Sequence, residues 1–145
     1  ILKYAWGLCL DKDVNTVMMV DEAHVLLAGH NELGAEFLAQ IQRRSRKYNT
    51  GTIIITQQPT DFASSDIIQH GKAIFDNAAY YLVMALKKQA VDDLSKLIDL
   101  NESERESIKF YNQGQGLFIC GNRRMRIQVV ATQEELDSLG SGGGL

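Results

Sequence analysis

The feature that most constrains this chain is an unbroken apolar run, Val17 to Val20, followed at once by Asp21 and Glu22. A run without polar alternation is typical of a strand covered on both faces in a parallel α/β sheet. In open α/β sheets, ligands bind beyond the carboxyl ends of the strands, where these two acids would lie. Neighbouring side chains on a strand point in opposite directions, so one acid can hold Mg²⁺ while the other activates water. The plainer alternative is a strand end with two solvated acids.

Composition narrows the class of protein. The chain has 145 residues, 45% of them hydrophobic, and a net charge of −3, which predicts one globular domain rather than a broadly basic nucleic-acid binder. Cys9 and Cys120 lack metal-ligand spacing and predict reduced thiols in the cytoplasm. The apolar runs are strand-sized, far below the roughly 20 residues of a membrane span. The chain opens on Ile1 rather than Met, which favours a piece of a longer protein.

Strand and helix patterns alternate along the chain. Buried strands are predicted at Thr16–Val20, Thr52–Thr56 and Ala79–Leu86, and a hairpin at Gly116–Cys120 and Met125–Ala131 around Gly121-Asn122. Helices are predicted at 1–10, Leu33–Tyr48, Ile67–Phe75, Gln89–Leu100 and 101–112, with a short last helix after Thr132. Ser64-Ser65-Asp66 is expected to cap the third helix, and capping boxes are expected at Asn101–Glu104 and Thr132–Glu135.

This order predicts an α/β fold, with a parallel central sheet flanked by helices and an antiparallel hairpin at the carboxyl-terminal side. Right-handed crossovers would bring the ends of all three buried strands to one edge. Asp21, Glu22, Thr56 and Gln57 would then meet at that edge. The domain is expected to cover residues 1–139, and the Gly/Ser-rich stretch 140–145 is expected to be a flexible tail.

The ordered set of motifs resembles one protein family. Val20-Asp21-Glu22-Ala23-His24 is similar to a Walker B element, and it is followed by Arg46-Lys47-Tyr48-Asn49, Thr56-Gln57 and Gly114-Gln115-Gly116-Leu117-Phe118. The order and spacing resemble the ATPases that power conjugative type IV secretion, which belong with the RecA-like hexameric motors and the FtsK-like and HerA-like DNA pumps. The resemblance covers about Thr16 to Leu139.

The resemblance implies a set of roles. Asp21 would hold Mg²⁺ through water, Glu22 would be the catalytic base and Gln57 would sense the γ-phosphate of ATP. Arg46 would stabilise transition-state charge, in its own subunit or in a neighbour's. Further nucleotide-binding candidates are Thr56, Arg43 and Arg124, with Arg123 and Arg126 nearby. The implied partners are copies of the same chain in a hexameric ring, other secretion components at the inner face of the bacterial cell membrane, and DNA.

One part of the family pattern is missing. The sequence contains no Gly-x-x-x-x-Gly-Lys-Ser/Thr, the Walker A loop whose backbone amides and lysine hold the phosphates. Its only Gly-Lys pair, Gly71-Lys72, is followed by Ala73. The family carries this loop upstream of the Walker B strand. The chain is therefore expected to be the carboxyl-terminal half of a motor domain and to hydrolyse ATP poorly by itself.

Two other functions fit some of the same residues. Asp21-Glu22-Ala23-His24 spells the box of DEAH helicases, although Thr56-Gln57-Gln58 stands where a helicase would carry Ser-Ala-Thr. The chain could also be a non-catalytic docking module of the secretion machinery. His24 is expected to pack near the strand end or to bond to Gln57, and the cations from Arg43 to Lys47 would also suit a helix end through its dipole.

Overall fold

The computed structural model describes residues 2–29 and 31–139, so the predicted tail at 140–145 lies outside the described residues. The helices are α1 (Leu2–Leu8), α2 (Glu32–Arg44), α3 (Pro59–Phe62), α4 (Ile68–Asp76), α5 (Lys88–Leu94), α6 (Glu102–Ile108) and α7 (Gln133–Leu139). The strands are β1 (Thr16–Val20), β2 (Thr50–Ile54), β3 (Tyr80–Val83), β4 (Gln115–Cys120) and β5 (Arg123–Gln128). Short 3₁₀ turns cover Ala23–Leu27 and Ser45–Tyr48.

The strands form two sheets within the described residues. β1 and β2 pair in parallel, with Thr16 opposite Thr50 and Val20 opposite Ile54. β3, β4 and β5 form an antiparallel sheet in that spatial order. The predicted α/β fold with a parallel sheet and a carboxyl-terminal antiparallel hairpin is therefore confirmed, and the Gly121-Asn122 turn joins the strands of that hairpin.

Each sheet has its own core on one face. Met18 and Val20 of β1 share a cluster with Leu38 and Ile41 of α2, so the helix between the strands covers the sheet as a crossover helix should. A second cluster unites β3 and β4 with α5 and α6; its buried members are Val83, Val91, Leu94, Ile98, Leu100, Ile108, Leu117 and Ile119. Phe75 packs against both clusters and connects them.

The prediction that β1 and β2 are covered on both faces is wrong. Val17 and Met19 are 67% and 61% exposed, and Ile53 and Ile55 are exposed on the same side of the sheet. The reason is that α2 packs on one face only, and no other described element covers the opposite face. We call these four residues the open parallel face.

The prediction that residues 79–86 form a third parallel strand is also wrong. β3 is antiparallel to β4, and its side chains alternate, with Tyr81 and Val83 turned inward. The outward residues Tyr80 and Leu82 continue a second apolar surface, in which the Tyr80 ring stacks on Phe118 of β4 at 5.9 Å between ring centres. We call this surface, with Met84 and Met125, the open antiparallel face.

The helix predictions were better at starts than at ends. Asn101 and Glu104 form the predicted capping box, and Thr132 and Glu135 form the other. The Ser64–Asp66 cap is wrong, because α4 begins after Ile67 and has no side-chain cap. Leu33, predicted on the apolar face of α2, is 77% exposed, since Leu38 and Ile41 already fill the contact with the sheet.

Candidate functional site

Asp21 and Glu22 are looped out of the sheet where β1 ends. Ile55 of the neighbouring segment donates its amide to the Val20 carbonyl at 2.9 Å, and its own carbonyl accepts from the Ala23 amide at 2.9 Å. The backbone of this one residue therefore holds both sides of a two-residue loop. The acids project beyond the carboxyl end of the strand, which is where ligands bind in α/β sheets.

Glu22 has an unusual backbone. Its φ of 49° and ψ of 45° lie in the left-handed region, which costs a residue with a Cβ on the order of 1 kcal/mol or more. The Asp21 carboxylate accepts the Glu22 amide at 2.8 Å and stabilises this turn. The sequence predicts that the strand pleat directs the side chains of Asp21 and Glu22 to opposite sides. In the structure, the left-handed turn at Glu22 separates them instead.

The Glu22 carboxylate lies between Gln57 and His24. The Gln57 amide donates to Glu22 Oε1. His24 Nδ1 lies 3.2 Å from Glu22 Oε2, which is within ion-pair distance, and neither of these buried atoms has a hydrogen-bond partner among the described residues. His24 therefore packs at the strand end as expected, although its neighbour is Glu22 rather than Gln57.

Asp21 and Thr56 occupy the solvent side of this edge. Asp21 is exposed, and only its Oδ1 accepts a hydrogen bond, from the Glu22 amide, among the described residues. Thr56 Oγ1 accepts the Gln58 amide at 3.1 Å and shapes the turn that carries Gln57. A single carboxylate suits Mg²⁺, which keeps most of its waters and takes its other ligands from phosphates. The described residues contain no group of three metal-binding side chains, so Asp21 would be the protein's main contribution to such a site.

The structure does not bring Arg46 or Arg43 to this edge. Arg46 lies in the 3₁₀ turn before β2, and Asn49, which follows, bonds through its carbonyl to the first residue of β1. The basic residues thus lie at the amino end of the sheet. The five-residue β2 that separates them from Gln57 spans roughly 16 Å, which is too far for an arginine side chain.

Arg124 is also occupied elsewhere. Its guanidinium donates to Glu104 Oε2 at 2.8 Å and to the Asp99 carbonyl at 2.9 Å, and so fastens β5 to the start of α6. Arg126 donates to Ser107 of the same helix. Arg123 is exposed and has no side-chain partner among the described residues. These arginines belong to the second sheet, and their observed contacts are structural.

Sequence reasoning missed the role of Tyr48 at the amino end of the sheet. Three cations lie against its ring: Lys12 at 5.8 Å and Arg44 and Lys47 at 5.9 Å. The Trp6 ring packs nearly perpendicular to the Tyr48 ring, with 5.9 Å between the ring centres. The run of cations before Tyr48 could have suggested this cluster, but Lys12 and Trp6 come from distant segments.

Residues 8–123 match the family model described as the TraG P-loop domain. The chain belongs to the TraG P-loop domain family. The solved structure of VirB4 of Thermoanaerobacter pseudethanolicus is similar to this TraG P-loop domain chain, with a TM-score of 0.85 and 32% sequence identity. The likeness covers 93% of this chain but only 36% of the VirB4 chain. A comparison with curated proteins gave no match.

These matches confirm the resemblance to VirB4-like ATPases of conjugative type IV secretion, and the matched family is that of the TraG P-loop domain, not a helicase family. No described helix of this TraG P-loop domain chain could cross a membrane; the longest, α2, has 13 residues. The Gly71-Lys72 pair does not act as a phosphate loop here. The Gly71 amide is used within α4, where it donates to the Ile67 carbonyl at 2.9 Å, and a Cβ on Gly71 would lie 2.0 Å from the Phe62 carbonyl oxygen.

Proposed function

We propose that this chain is the carboxyl-terminal part of an ATPase that powers type IV secretion and conjugative DNA transfer, and that its Asp21–Glu22 edge catalyses ATP hydrolysis. One observation carries the proposal: the two acids are looped out at the strand end, and Gln57 from the next strand contacts Glu22. Membership in a P-loop family and the likeness to VirB4 support the same reaction.

Each residue at this edge has a distinct task in hydrolysis. Glu22 accepts a proton from water as the water oxygen bonds to the γ-phosphorus, and the bond to the bridging oxygen breaks to release ADP and phosphate. Asp21 would hold a hydrated Mg²⁺, which when bound would supply positive charge to the phosphates. Thr56 keeps Gln57 in place through its turn.

The contact between Gln57 and Glu22 links nucleotide binding to base activation. In the structure, the Gln57 amide bonds to one oxygen of the proposed base. A γ-phosphate is a strong acceptor, and it would compete for the same amide. Release of Glu22 Oε1 would then leave that oxygen free to accept the proton of the attacking water. Gln57 thus senses the γ-phosphate by exchanging one acceptor for another.

The nucleotide site in this chain is incomplete. The sequence lacks a Walker A loop, and Gly71 serves helix packing. The open parallel face lies beside the site, although parallel sheets are usually covered on both faces. We propose that further polypeptide carrying the phosphate loop covers this face, and that the completed domains form a hexameric ring at the cytoplasmic face of the membrane. Within that ring, Arg46 would act on a neighbour's nucleotide, since it cannot reach its own site.

A second candidate is a non-catalytic docking module. The observation that favours it is the exposure of two apolar sheet faces, because large exposed apolar patches mark interaction surfaces. In this case the same faces would bind other secretion components, and the acids at residues 21 and 22 would have no nucleotide to act on.

Calorimetric titration with ATP and Mg²⁺ separates the two candidates. We expect the 145-residue chain to bind ATP with a dissociation constant weaker than about 1 mM. A longer version that also carries a phosphate loop should bind in the micromolar range and lose that affinity when Asp21 is changed to Asn. Micromolar binding by the 145-residue chain would contradict the incomplete site, and a longer version that binds no ATP would favour the docking module.

A further inference from the structure

Helix α7 makes no contact with the cores of the molecule. All its described side chains, at residues 133–138, are exposed, and Leu136 is 40% exposed. The segment that leads to it is exposed as well, with Val130 at 76%. α7 thus extends from β5 as a helix without a partner in the described structure.

A helix of this length needs support. An isolated helix shorter than about 12 residues is marginal in water, and α7 has seven. The capping box helps: Thr132 donates its amide to Glu135 Oε2 at 2.8 Å, and the Glu135 amide donates to Thr132 Oγ1 at 3.2 Å. One capping box does not replace a packed face. A docking surface would supply the packed face that α7 lacks among the described residues.

The charges of α7 define what that surface must be. The helix carries Glu134, Glu135 and Asp137 and no basic residue. Leu136 adds a small apolar contact. The matching surface would be basic, with an apolar centre.

The chain itself offers such a surface at the amino end of β1 and β2. We call it the basic patch; Lys12, Arg44 and Lys47 lie against the ring of Tyr48, and the exposed Arg43 and Arg46 belong to the same stretch of chain. None of these cations forms an ion pair with an acid among the described residues, although Asp11 and Asp13 flank Lys12. The hydrogen bond from Arg44 lowers the pKa of the Tyr48 hydroxyl. Desolvation raises this pKa, and the positive charges of Arg44, Lys47 and Lys12 lower it further. The patch therefore presents exposed cations that form no ion pair among the described residues.

We propose that α7 of one copy of this chain docks on the basic patch of a second copy. The contact joins two different surfaces, so it is a heterologous contact that builds a ring or a filament. Among the described residues of one chain, no hydrogen bond or ion pair joins α7, which follows the antiparallel sheet, to the patch. The inference goes beyond nucleotide hydrolysis and does not depend on it.

Charge reversal on each surface tests this contact. The first variant, Glu134→Lys with Asp137→Lys, reverses α7 and leaves the capping residue Glu135 intact. The second, Arg43→Glu with Lys47→Glu, reverses two exposed cations of the patch. The matched control, Asp76→Lys with Glu102→Lys, makes the same change in net charge as the first variant on exposed residues elsewhere. Sedimentation of the 145-residue chain at low and high salt measures self-association.

We expect each reversed variant to self-associate about tenfold more weakly than the parent and the control. A mixture of the two variants, and the variant that carries all four changes, should recover association, because opposite charges face each other again. Salt should weaken the parent contact, since exposed charges are screened.

Three results would overturn the proposal. They are a parent chain that stays monomeric at millimolar concentration, reversed variants that associate like the control, and a mixture that fails to recover. A fourth result would also overturn it. If patch reversal changed the amide signals of α7 to the same extent at every protein concentration, the contact would lie within one chain. If patch reversal abolished binding of a short single-stranded DNA and left self-association unchanged, the patch would bind nucleic acid instead.

Discussion

The two ends of the β1–β2 sheet each contain a residue in the left-handed conformation, and the two residues differ in kind. Asn49, at the amino end, has a φ of 51°, and Glu22, at the carboxyl end, has a φ of 49°; they are the only non-glycine residues with positive φ in the described chain. Asparagine tolerates this conformation, and Asn49 also donates to the Lys12 carbonyl at 2.9 Å. Glutamate has no such preference. The amino end is therefore an ordinary turn. At the carboxyl end, the strained backbone of Glu22 places its carboxylate beyond the end of the strand.

The largest expected effect is at the strained end. In a version of the protein that carries a phosphate loop, Glu22→Gln should lower ATP turnover about a thousandfold or more, because the amide keeps the shape but cannot accept a proton. Steady-state phosphate release measures turnover, and calorimetry should show nearly unchanged ATP affinity. Glu102→Gln, at an exposed helix start, is the matched control. If Glu22→Gln retained most of its turnover, Glu22 would not be the base.

The next effect tests whether the basic end serves a neighbour's site. Arg46→Ala in the same longer protein should lower turnover about a hundredfold, near 3 kcal/mol of barrier, with little change in melting temperature. Lys72→Ala is the control for loss of an exposed cation. Mixed with Glu22→Gln, the variant should recover part of its rate, since some subunit boundaries then contain one intact site. Near-normal turnover would leave Arg46 as a cation at a helix end.

The comparison of the two turns can be tested by stability alone. Glycine removes the left-handed strain, so Glu22→Gly should raise the free energy of unfolding by about 0.5 kcal/mol despite the lost Gln57 contact. Asn49→Gly should lower it by about 1 kcal/mol, because it removes the bond to the Lys12 carbonyl and relieves little strain. Urea unfolding of the 145-residue chain measures both values. A loss of stability in both variants would mean that Glu22 stores no strain.

The smallest effect concerns the ionisation of Tyr48. The Arg44 hydrogen bond and the surrounding cations lower the pKa of Tyr48 from its ordinary value of 10.0. A pKa that is lower in the folded state gives stability above the unfolded pKa, and this stability is lost as pH falls through the folded pKa. Relative to Tyr48→Phe, the parent chain should therefore gain stability as pH rises toward and past 10. Arg44→Met should return the pKa toward its ordinary value in a difference absorbance titration, and an unchanged titration would remove Arg44 as the cause.

Local signals in the sequence predicted local structure well. Two such signals are the capping pair Asn101 and Glu104 and the Gly121-Asn122 turn. Each depends on contacts within a few residues, so the sequence pattern is enough to predict the structure there. Whether a strand is covered depends on other parts of the structure. The apolar runs of β1 and β3 look alike in sequence, but one is parallel and the other antiparallel, and each leaves a face open.

The site was predictable in position but not in geometry. The rule that parallel strands end at one edge predicts that Gln57 lies near Glu22, and the structure places them in contact. The left-handed turn and the approach of His24 follow from hydrogen bonds to Ile55, which no spacing in the sequence reveals. The separation of Arg46 from the acids follows from the direction of β2.

The double hydrogen bond of Ile55 also determines which changes in length this protein can accept. Val20 and Ala23 bind the same residue through main-chain atoms, so the interval between them must remain two residues whatever their side chains are. An insertion there would move Ala23 out of reach of Ile55 and turn Gln57 away from its partner. Among homologues, we expect this loop to keep its length of two residues, whereas the exposed turn at Ala28 and Gly29 can lengthen. Alignment gaps in this family should therefore avoid residues 20–23 and collect at the turn that follows.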